Sequence, residues 1–589
     1  MRTKTLLIAG AAAALALPAL AQQALPPQPA PAPAPATSPT PAPATAVPRP
    51  VARPGYLNLP PADETAVEEL ADLQLPAAPP PVEYPAHARR DPWVVGALDP
   101  AELGLGPSPW RGASGAFLST LMRRMDTPIA SRWAHIALRD ALLAKSRAPR
   151  DVNPVDWVAE RAWLLLRMGE ADAARMLVAG VDTDRFTPKM TQVAVQSALA
   201  NADPPALCPL DNGIRKFDPA VRELVDAMCS ALAGEPESAG AQIDHARRYG
   251  RIGGIDLALA QKVVGAAGNG QAATIEWDPI DRLTAWRFGL ATGTGMTIPD
   301  RLLRNAPPQL RAFHARAPLL TPQQRLESAV IAAGLGVFSS QSMVDLYSAI
   351  YDSTDSSDLS ETDAWQLRQA FVAKDAGARV AAIRRLLGSG RQPLQREGMR
   401  ALVARAASLI EPDLKLQSDA PELIAAMLAA GYDEQAARWG GIVRRMKDEN
   451  GDRSWAMLVL AAPNPGSLDL SYGRITSFIS RDRSPGKARS ALLVAGLAGL
   501  QRINERSANA LNRRYGLGLG RRSSWTRMID AAARLRQPAT VLVLTGTGLQ
   551  TSSLEQVPAA HLYHALLAMR RTGQDFTARM VAAEALSRT

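Results

Sequence analysis

The sequence predicts an all-α fold, an irregular superhelical α-solenoid of helical hairpins that follows a Pro/Ala-rich segment. Three observations lead to this prediction. Apolar residues recur at helical spacing, as in Leu423, Ala426, Met427 and Ala430. One Gly-containing turn recurs between such stretches, and we find no convincing alternating strand pattern. The chain has 589 residues and is 47% apolar, so it can bury more than one ordinary core.

Residues 1–21 have the order of a signal peptide. Arg2 and Lys4 precede an apolar run from Leu6 to Leu17, and the small-x-small sequence Ala19-Leu20-Ala21 follows. The run is shorter than the ~20 residues that span a bilayer; a retained membrane anchor is the alternative. Arg outnumbers Lys and Ala is abundant, which suits a GC-rich bacterial genome. We expect a periplasmic or secreted mature chain without a transmembrane anchor.

Residues 22–86 form a Pro/Ala-rich linker that is expected to be disordered. Its composition offers no apolar periodicity to bury and favours extended polyproline conformations. A short amphipathic segment, Thr65 to Leu73, interrupts it. This segment is either a docking helix or a chance pattern.

Residues 87–589 are the predicted helical body. Two lobes, about 112–318 and 319–589, are one possible division, with a boundary near Pro307 to Pro322. The run Val541 to Leu544 follows Pro538 and lies between helical patterns, so we expect a buried helix there, with a strand as the alternative.

The recurring turn marks helix-to-helix junctions at four glycines. Gly enters the left-handed conformation cheaply and ends one helix, and the acidic residue that follows favours the start of the next helix. The glycines are Gly169, Gly234, Gly431 and Gly573. These turns resemble the junctions of tetratricopeptide-like repeats, but their irregular spacing departs from the ~34-residue period of that family.

This resemblance implies a divergent helical-repeat protein, whose stacked hairpins bury their faces against neighbours and form a long concave surface. Such a shape is similar to the helical superhelix domain of soluble lytic transglycosylases. The Ala/Pro/Thr-rich head resembles that of secreted proteins labelled antifreeze glycopeptide polyproteins, a label without functional weight. The transglycosylase Glu-Ser signature would fall on Glu237-Ser238 or Glu327-Ser328. Neither has the sequence that should follow it, so we do not expect an enzyme.

Three other patterns give weak chemical signals. Ser484-Pro485-Gly486-Lys487 matches Ser-x-x-Lys, but Pro and Gly disfavour the required helical turn. The stretch Gly516 to Arg522 is Gly-rich and basic without the strand and the Lys-Ser/Thr of a phosphate-binding loop, so a flexible loop is expected. His561 and His564 are one helical turn apart but lack a third ligand, and interface residues are the expected interpretation. No metal, catalytic residue or cofactor is expected.

Cys208 and Cys229 are the two cysteines. In an oxidising compartment we expect them to form an intramolecular disulfide, which pins a loop around Cys208 to a helix from Pro219 to Ala233. Asp218 is the expected N-cap and Pro219 the first helical residue. Two unpaired buried thiols are the alternative.

The formal net charge of +10 is modest for this length. Basic pairs are spread over several helices, where they are expected to form solvated faces; they are Arg123-Arg124, Arg384-Arg385, Arg444-Arg445, Arg513-Arg514 and Arg521-Arg522. Because we expect the chain to be exported, nucleic acid is not an expected partner. Mid-helix tryptophans are expected to fill the core, although exposed ones could stack on sugars. They are Trp133, Trp157, Trp163, Trp277, Trp286, Trp365, Trp439 and Trp455.

Two function classes follow. The first is a non-enzymatic periplasmic scaffold that holds an envelope protein or peptide on a helical surface. The second is a peptidoglycan- or glycan-associated binding protein, and an enzyme such as a lytic transglycosylase is a distant third. Exposed Arg and Trp would favour the glycan, whereas Asn, Tyr and small apolar residues would favour the peptide.

Overall fold

The computed structural model describes residues 85–125, 128–268 and 273–589. It is all-α, with 67% of the described residues in helices. The expected signal peptide, the linker up to residue 84 and the segment from Thr65 to Leu73 lie outside the described residues. In the described part, the strands are β1 (Val94–Val95) and β2 (Ser146–Arg147), which pair antiparallel.

The helices run in three groups along the chain. The first contains α1 (Gly115–Arg123), α2 (Arg132–Leu143), α3 (Pro154–Met168), α4 (Ala171–Val178) and α5 (Pro188–Ala200). The second contains α6 (Asp211–Phe217), α7 (Pro219–Leu232), α8 (Pro236–Tyr249), α9 (Gly254–Ala267), α10 (Ala285–Gly293) and α11 (Asp300–Arg304). The third begins with α12 (Pro308–Arg316), α13 (Pro322–Leu335), α14 (Ser340–Ser353), α15 (Asp363–Val372), α16 (Ala376–Ser389), α17 (Pro393–Ser408) and α18 (Ala420–Ala429).

The third group continues to the end of the described chain. Its remaining helices are α19 (Asp433–Ala437), α20 (Gly440–Val443), α21 (Glu449–Ala461), α22 (Tyr472–Arg481), α23 (Ala488–Gly499), α24 (Glu505–Tyr515), α25 (Ser524–Arg534), α26 (Pro538–Gly548), α27 (Ala559–Arg571) and α28 (Asp575–Ser587). The run from Val541 to Leu544 is buried within α26, which confirms the helix expected there.

Many helices start at a polar N-cap followed by Pro. Asn153, Thr187 and Asp218 each accept a hydrogen bond from a backbone N–H of the first turn, and Pro occupies the next position. The side-chain oxygen satisfies an N–H that has no partner inside the helix, and Pro already has the helical φ. These local signals are readable in the sequence.

The buried apolar residues form two main clusters. The larger core joins residues of the first group to residues of the third, from Val95 to Leu586. The smaller core, from Ala194 to Leu310, belongs mainly to the second group. The predicted boundary at Pro307 to Pro322 does not coincide with this division, because Ala312 lies in the larger core and α12 packs against α13.

The first helices contact the last ones. Helix α2 packs against α26 and α28, and Ala130 N donates to Leu549 O at 2.9 Å. In an open array each hairpin contacts only its sequence neighbours. This contact between distant hairpins therefore differs from an open array of stacked hairpins.

A buried network of charged side chains fastens this contact. Glu584 accepts hydrogen bonds from Ser131 Oγ at 2.5 Å and from Arg132 N at 2.8 Å, and so caps α2 from α28. Arg588 Nη1 lies 2.8 Å from Glu584 Oε1 and donates to Ala130 O at 2.7 Å. We call Ser131, Arg132, Glu584 and Arg588 the closing network.

Arg132 ties the closing network to two further helices. Its Nε donates to Ala333 O at 2.8 Å in the last turn of α13, and its Nη1 donates to Ala429 O at 2.5 Å at the end of α18. A cation is favourable at a helix C-terminus because the last carbonyls lack partners there. Burial lowers the pKa of Arg132, although Glu584 and Glu397 oppose this shift.

Helices α13 and α17 approach closely at two glycines. A Cβ on Gly398 would overlap the carbonyl oxygen of Val330, and a Cβ on Gly334 would overlap that of Leu394. Only hydrogen side chains fit at these contacts. The reciprocal glycines therefore set the distance between two central helices.

Candidate functional site

The four predicted turn glycines lie between consecutive helices. They follow α3, α7, α18 and α27, and each has a φ between 82° and 89°. L side chains rarely adopt this conformation, so Gly is needed there. The flanking helices pack against each other, which makes each site a helical hairpin.

Cys208 and Cys229 are joined by a disulfide with a Cα–Cα distance of 5.6 Å. Cys229 lies on α7, where Asp218 caps Val221 N as the sequence suggests. Cys208 lies in a 3-10 helix, Pro204–Leu210, rather than in the expected loop. The covalent bond holds this 3-10 helix against α7.

Of the two Glu-Ser pairs, Glu327-Ser328 contacts residues of α12, and Glu237-Ser238 is exposed. Ser328 is buried in α13, and its Oγ lies 3.0 Å from Arg311 Nε and 3.1 Å from His314 Nδ1. Glu327 pairs with Arg311 at 3.1 Å. Glu237 lies exposed in the first turn of α8. Ser328 and Glu327 therefore link α13 to α12.

Both chemical groups of the Ser484-to-Lys487 pattern form hydrogen bonds with backbone atoms of neighbouring residues. Gly486 and Lys487 both have positive φ, and Lys487 Nζ donates to Ile479 O at 2.6 Å. Ser484 Oγ instead accepts from Arg489 N at 3.0 Å. The segment is a tight turn that starts α23.

His561 and His564 serve as packing and hydrogen-bonding groups between helices. His564 Nδ1 lies 2.9 Å from Asp530 Oδ1, and the His561 ring packs on Trp525 with centroids 4.4 Å apart. Burial lowers the pKa of His561. Within the described residues, His, Cys, Asp and Glu side chains form no cluster of three or more that could hold a metal ion.

A carboxyl pair that the sequence analysis missed joins α6 and α7. Asp211 and Asp226 interact with each other, and Arg222 lies 2.7 Å from the first and 3.1 Å from the second. Burial and the hydrogen bond with Asp211 raise the pKa of Asp226 to about 7. Because Arg222 bridges both carboxyls, this pair acts chiefly as a link between the helices.

The eight tryptophans expected in helices are buried or half-buried, although Trp277 and Trp439 lie outside the helices, in an irregular stretch and in a turn. Trp157, Trp286, Trp439 and Trp455 are at most 3% exposed. The other four are intermediate. A ring must present an open face to stack on a sugar, so these residues give little support to a glycan platform.

The strongest candidate site is a group of exposed arginines on residues 505–536. We call it the arginine surface, and its members are Arg506, Arg513, Arg514, Arg521, Arg522, Arg527, Arg534 and Arg536. With only Glu505 and Asp530 as acidic residues, eight positive and two negative charges give this segment +6 of the chain's +10. None of the eight arginines forms an ion pair with a described residue.

Helix α24 and the following loop carry five of these arginines. Arg506 and Arg513 are seven residues apart and share a face of α24, whereas Leu511 is buried on the other side. The loop then folds back, because Leu519 N donates a hydrogen bond to Asn512 Oδ1 at 3.0 Å. The buried side chain of Leu519 anchors the loop. The Gly-rich stretch is thus an ordered turn that presents Arg521 and Arg522 to solvent.

Helix α25 and the turn after it carry the remaining three arginines. Trp525 and Ile529 are buried, and Trp525 Nε1 donates to Leu544 O at 2.9 Å. Arg527 and Arg534, again seven residues apart, lie on the outer face. Leu535 is 63% exposed beside Arg534, so an apolar contact is available among the charges.

Other exposed arginines are often paired. Arg481 reaches both oxygens of Asp452 at 2.7 and 2.9 Å, and Arg384 reaches both oxygens of Asp419 at 2.9 Å. The basic pairs look alike in the sequence, which does not distinguish paired from unpaired arginines. A charge count over a window of about thirty residues would have found the segment 505–536.

No family model, no curated protein and no solved structure matches this chain. Among the described residues, every helix is too short or too polar to cross a membrane.

Proposed function

We propose that this chain is a non-enzymatic scaffold of the bacterial envelope, exported to the periplasm, that holds an acidic segment of a protein partner on the arginine surface. One observation carries the proposal: eight exposed arginines, without an acidic partner among the described residues, lie on two helices, the ordered loop between them and the turn that follows the second helix. Such a surface attracts anionic partners over a distance of about a Debye length, ~8 Å at physiological salt.

Arginine suits a carboxylate-bearing partner. Its planar guanidinium donates two parallel hydrogen bonds to one carboxylate, and it is more weakly hydrated than an ammonium group. The exposed Leu535 adds a contact for an apolar side chain. A peptide with Asp or Glu next to aliphatic residues fits both features.

The disulfide supports the proposed compartment. Disulfides persist in oxidising environments such as the periplasm and are rare in the cytosol. Together with the signal-peptide pattern of residues 1–21, the pair Cys208 and Cys229 favours export.

An anionic glycan such as peptidoglycan is the second candidate. Its carboxylates would also pair with the arginine surface. Trp525, the aromatic ring under this surface, is 7% exposed, and Arg514 lies over the ring of Tyr515. The surface therefore offers little ring area for stacking, which favours the protein partner.

The test measures binding of a fluorescein-labelled peptide of ten glutamates to the purified mature chain. In the first variant, Arg513, Arg514, Arg521 and Arg522 are changed to Gln. The matched control changes Arg391, Arg396, Arg444 and Arg445 to Gln, which are also exposed and unpaired among the described residues. Fluorescence anisotropy gives the Kd, and sedimentation with purified sacculi runs in parallel.

We expect the first variant to bind the peptide at least about tenfold more weakly than the control. Four exposed pairs at ~0.2–1 kcal/mol each account for such a change. Equal Kd values for the two variants would contradict the proposal. Sedimentation with sacculi that depends on these four arginines, without peptide binding, would favour the glycan.

A further inference from the structure

The chain itself contains an acidic segment that matches the arginine surface. Residues 62–73 include Asp63, Glu64, Glu68, Glu69 and Asp72 and no basic residue. We call them the acidic segment. Its five negative charges in twelve residues are opposite in sign to the eight arginines of the arginine surface.

Apolar residues of the acidic segment have helical spacing. Val67, Leu70 and Leu73 follow one another every three residues, a pattern typical of one face of a helix. A single exposed leucine on the arginine surface, Leu535, provides an apolar contact for such a face. Charge and apolar pattern therefore agree between the two partners.

The chain between the acidic segment and the described residues is short and Pro-rich. Residues 74–84 contain Pro76, Pro79, Pro80 and Pro81. In an extended polyproline conformation these eleven residues span about 34 Å, at ~3.1 Å per residue. A short tether that spans the distance between two sites keeps a segment near its target at an effective concentration on the order of 1 mM.

Hydrogen bonds connect residues near the start of the described chain to Gln537, the residue that follows Arg536. Ala148 N donates to Trp93 O at 2.8 Å, and Trp110 Nε1 donates to Ser146 Oγ at 3.1 Å, so both tryptophans lie beside one short stretch. Gln537 Nε2 donates to Arg111 O at 2.7 Å. Gln537 directly follows Arg536, so this path ends at the arginine surface.

We propose that the acidic segment docks on the arginine surface of its own chain and competes with the acidic partner for it. The proposal goes beyond the proposed function, with which it shares the arginine surface, because it adds a built-in competitor. The tether sets how strong the competition is. With an effective concentration of ~1 mM and a segment Kd of ~0.1 mM, removal of the competitor increases the apparent affinity about tenfold.

The test uses the full mature chain and two variants with the same loss of charge. The segment variant carries Asp63→Asn, Glu64→Gln, Glu68→Gln, Glu69→Gln and Asp72→Asn. The control variant carries Glu235→Gln, Glu237→Gln, Glu276→Gln, Asp278→Asn and Asp281→Asn, all exposed and without an ion pair among the described residues. Far-UV circular dichroism checks that each variant keeps its helices.

The first measurement is hydrogen–deuterium exchange without any added ligand. We expect peptides that cover residues 505–536 to exchange faster in the segment variant than in the control, and both proteins to exchange alike at about 1 M salt, where the Debye length is ~3 Å. Equal exchange at low salt would overturn the inference. This result does not depend on any external partner, so it leaves the proposed function to its own test.

The second measurement is the Kd for the labelled ten-glutamate peptide. We expect the segment variant to bind about tenfold more tightly than the control. If both bind equally while the arginine variant loses binding, the built-in competitor is refuted and the proposed function stands. If the protection of residues 505–536 grows with protein concentration and sedimentation velocity shows a dimer, the occupant belongs to a second copy, which overturns docking within one chain.

Discussion

The closing network predicts that Glu584→Gln destabilises the fold much more than an equivalent exposed change. The substitution keeps an oxygen that can accept from Arg132 N but removes the negative charge beside Arg588. The two side chains are 6% and 11% exposed, so the loss leaves a buried cation whose next carboxylate, Glu397, is 3.8 Å away. Removal of one partner of a buried pair costs about 3–5 kcal/mol.

The remaining contacts lower this expectation to about 3 kcal/mol, because Arg588 keeps the bond to Ala130 O at 2.7 Å. Unfolding of about 500 residues has an entropy of roughly 1 kcal/mol/K, so the melting temperature should fall by about 3 °C. The control is Glu411→Gln, whose carboxylate pairs with Arg438 but is 82% exposed. That change should shift the melting temperature by less than about 1 °C.

The assay compares wild type and both variants by differential scanning calorimetry and by urea unfolding at pH 7. Limited proteolysis adds a local readout, since release of α2 from α28 should expose cleavage sites near Ser131. A melting temperature for Glu584→Gln within 1 °C of the Glu411→Gln control would refute the view that this network holds the first and last helices together.

Three further predictions concern stability. Burial lowers the pKa of His314 to about 4, whereas the unfolded chain has a His pKa near 6.5. The free energy of unfolding should therefore fall by about 3 kcal/mol as the pH drops from ~6.5 to ~4. The substitution His314→Gln should reduce this pH dependence, as measured by urea titrations. Replacement of both Cys208 and Cys229 by Ser should cost roughly 3 kcal/mol in the chain-entropy model, and equal urea midpoints would contradict that. Gly398→Ala should destabilise by more than ~2 kcal/mol because the new Cβ overlaps backbone, whereas the helical control Gly388→Ala, with open space around it, should be neutral or stabilising by circular dichroism melts.

Local features of the fold were predictable because their causes are local. The pair Asp218-Pro219 starts α7 through a side-chain cap and a preset φ. Gly169 ends α3 because the turn needs a left-handed residue. Such signals extend over three or four residues, so the sequence alone is sufficient to find them.

The contact between first and last helices was not predictable in this way. Glu584 and Ser131 are 453 positions apart in sequence, and neither has a local pattern that marks it as a partner of the other. The interaction depends on where the intervening helices bring α28. A repeat pattern predicts contacts between neighbouring hairpins, and it therefore carries no information on such a pair.

The arginine surface lies between these two cases. Its charge could be counted in the sequence, and the seven-residue spacing of Arg527 and Arg534 predicts a shared helix face. The missing information was which arginines already have acidic partners, since Arg481 and Arg384 look the same in sequence but each pairs with an aspartate. The charge of an arginine that pairs with an aspartate of the same fold is neutralised within that fold. The arginines at residues 505–536 have no acidic partner among the described residues, so their charge is available to an anionic partner, and we propose the acidic segment 62–73 as one such partner.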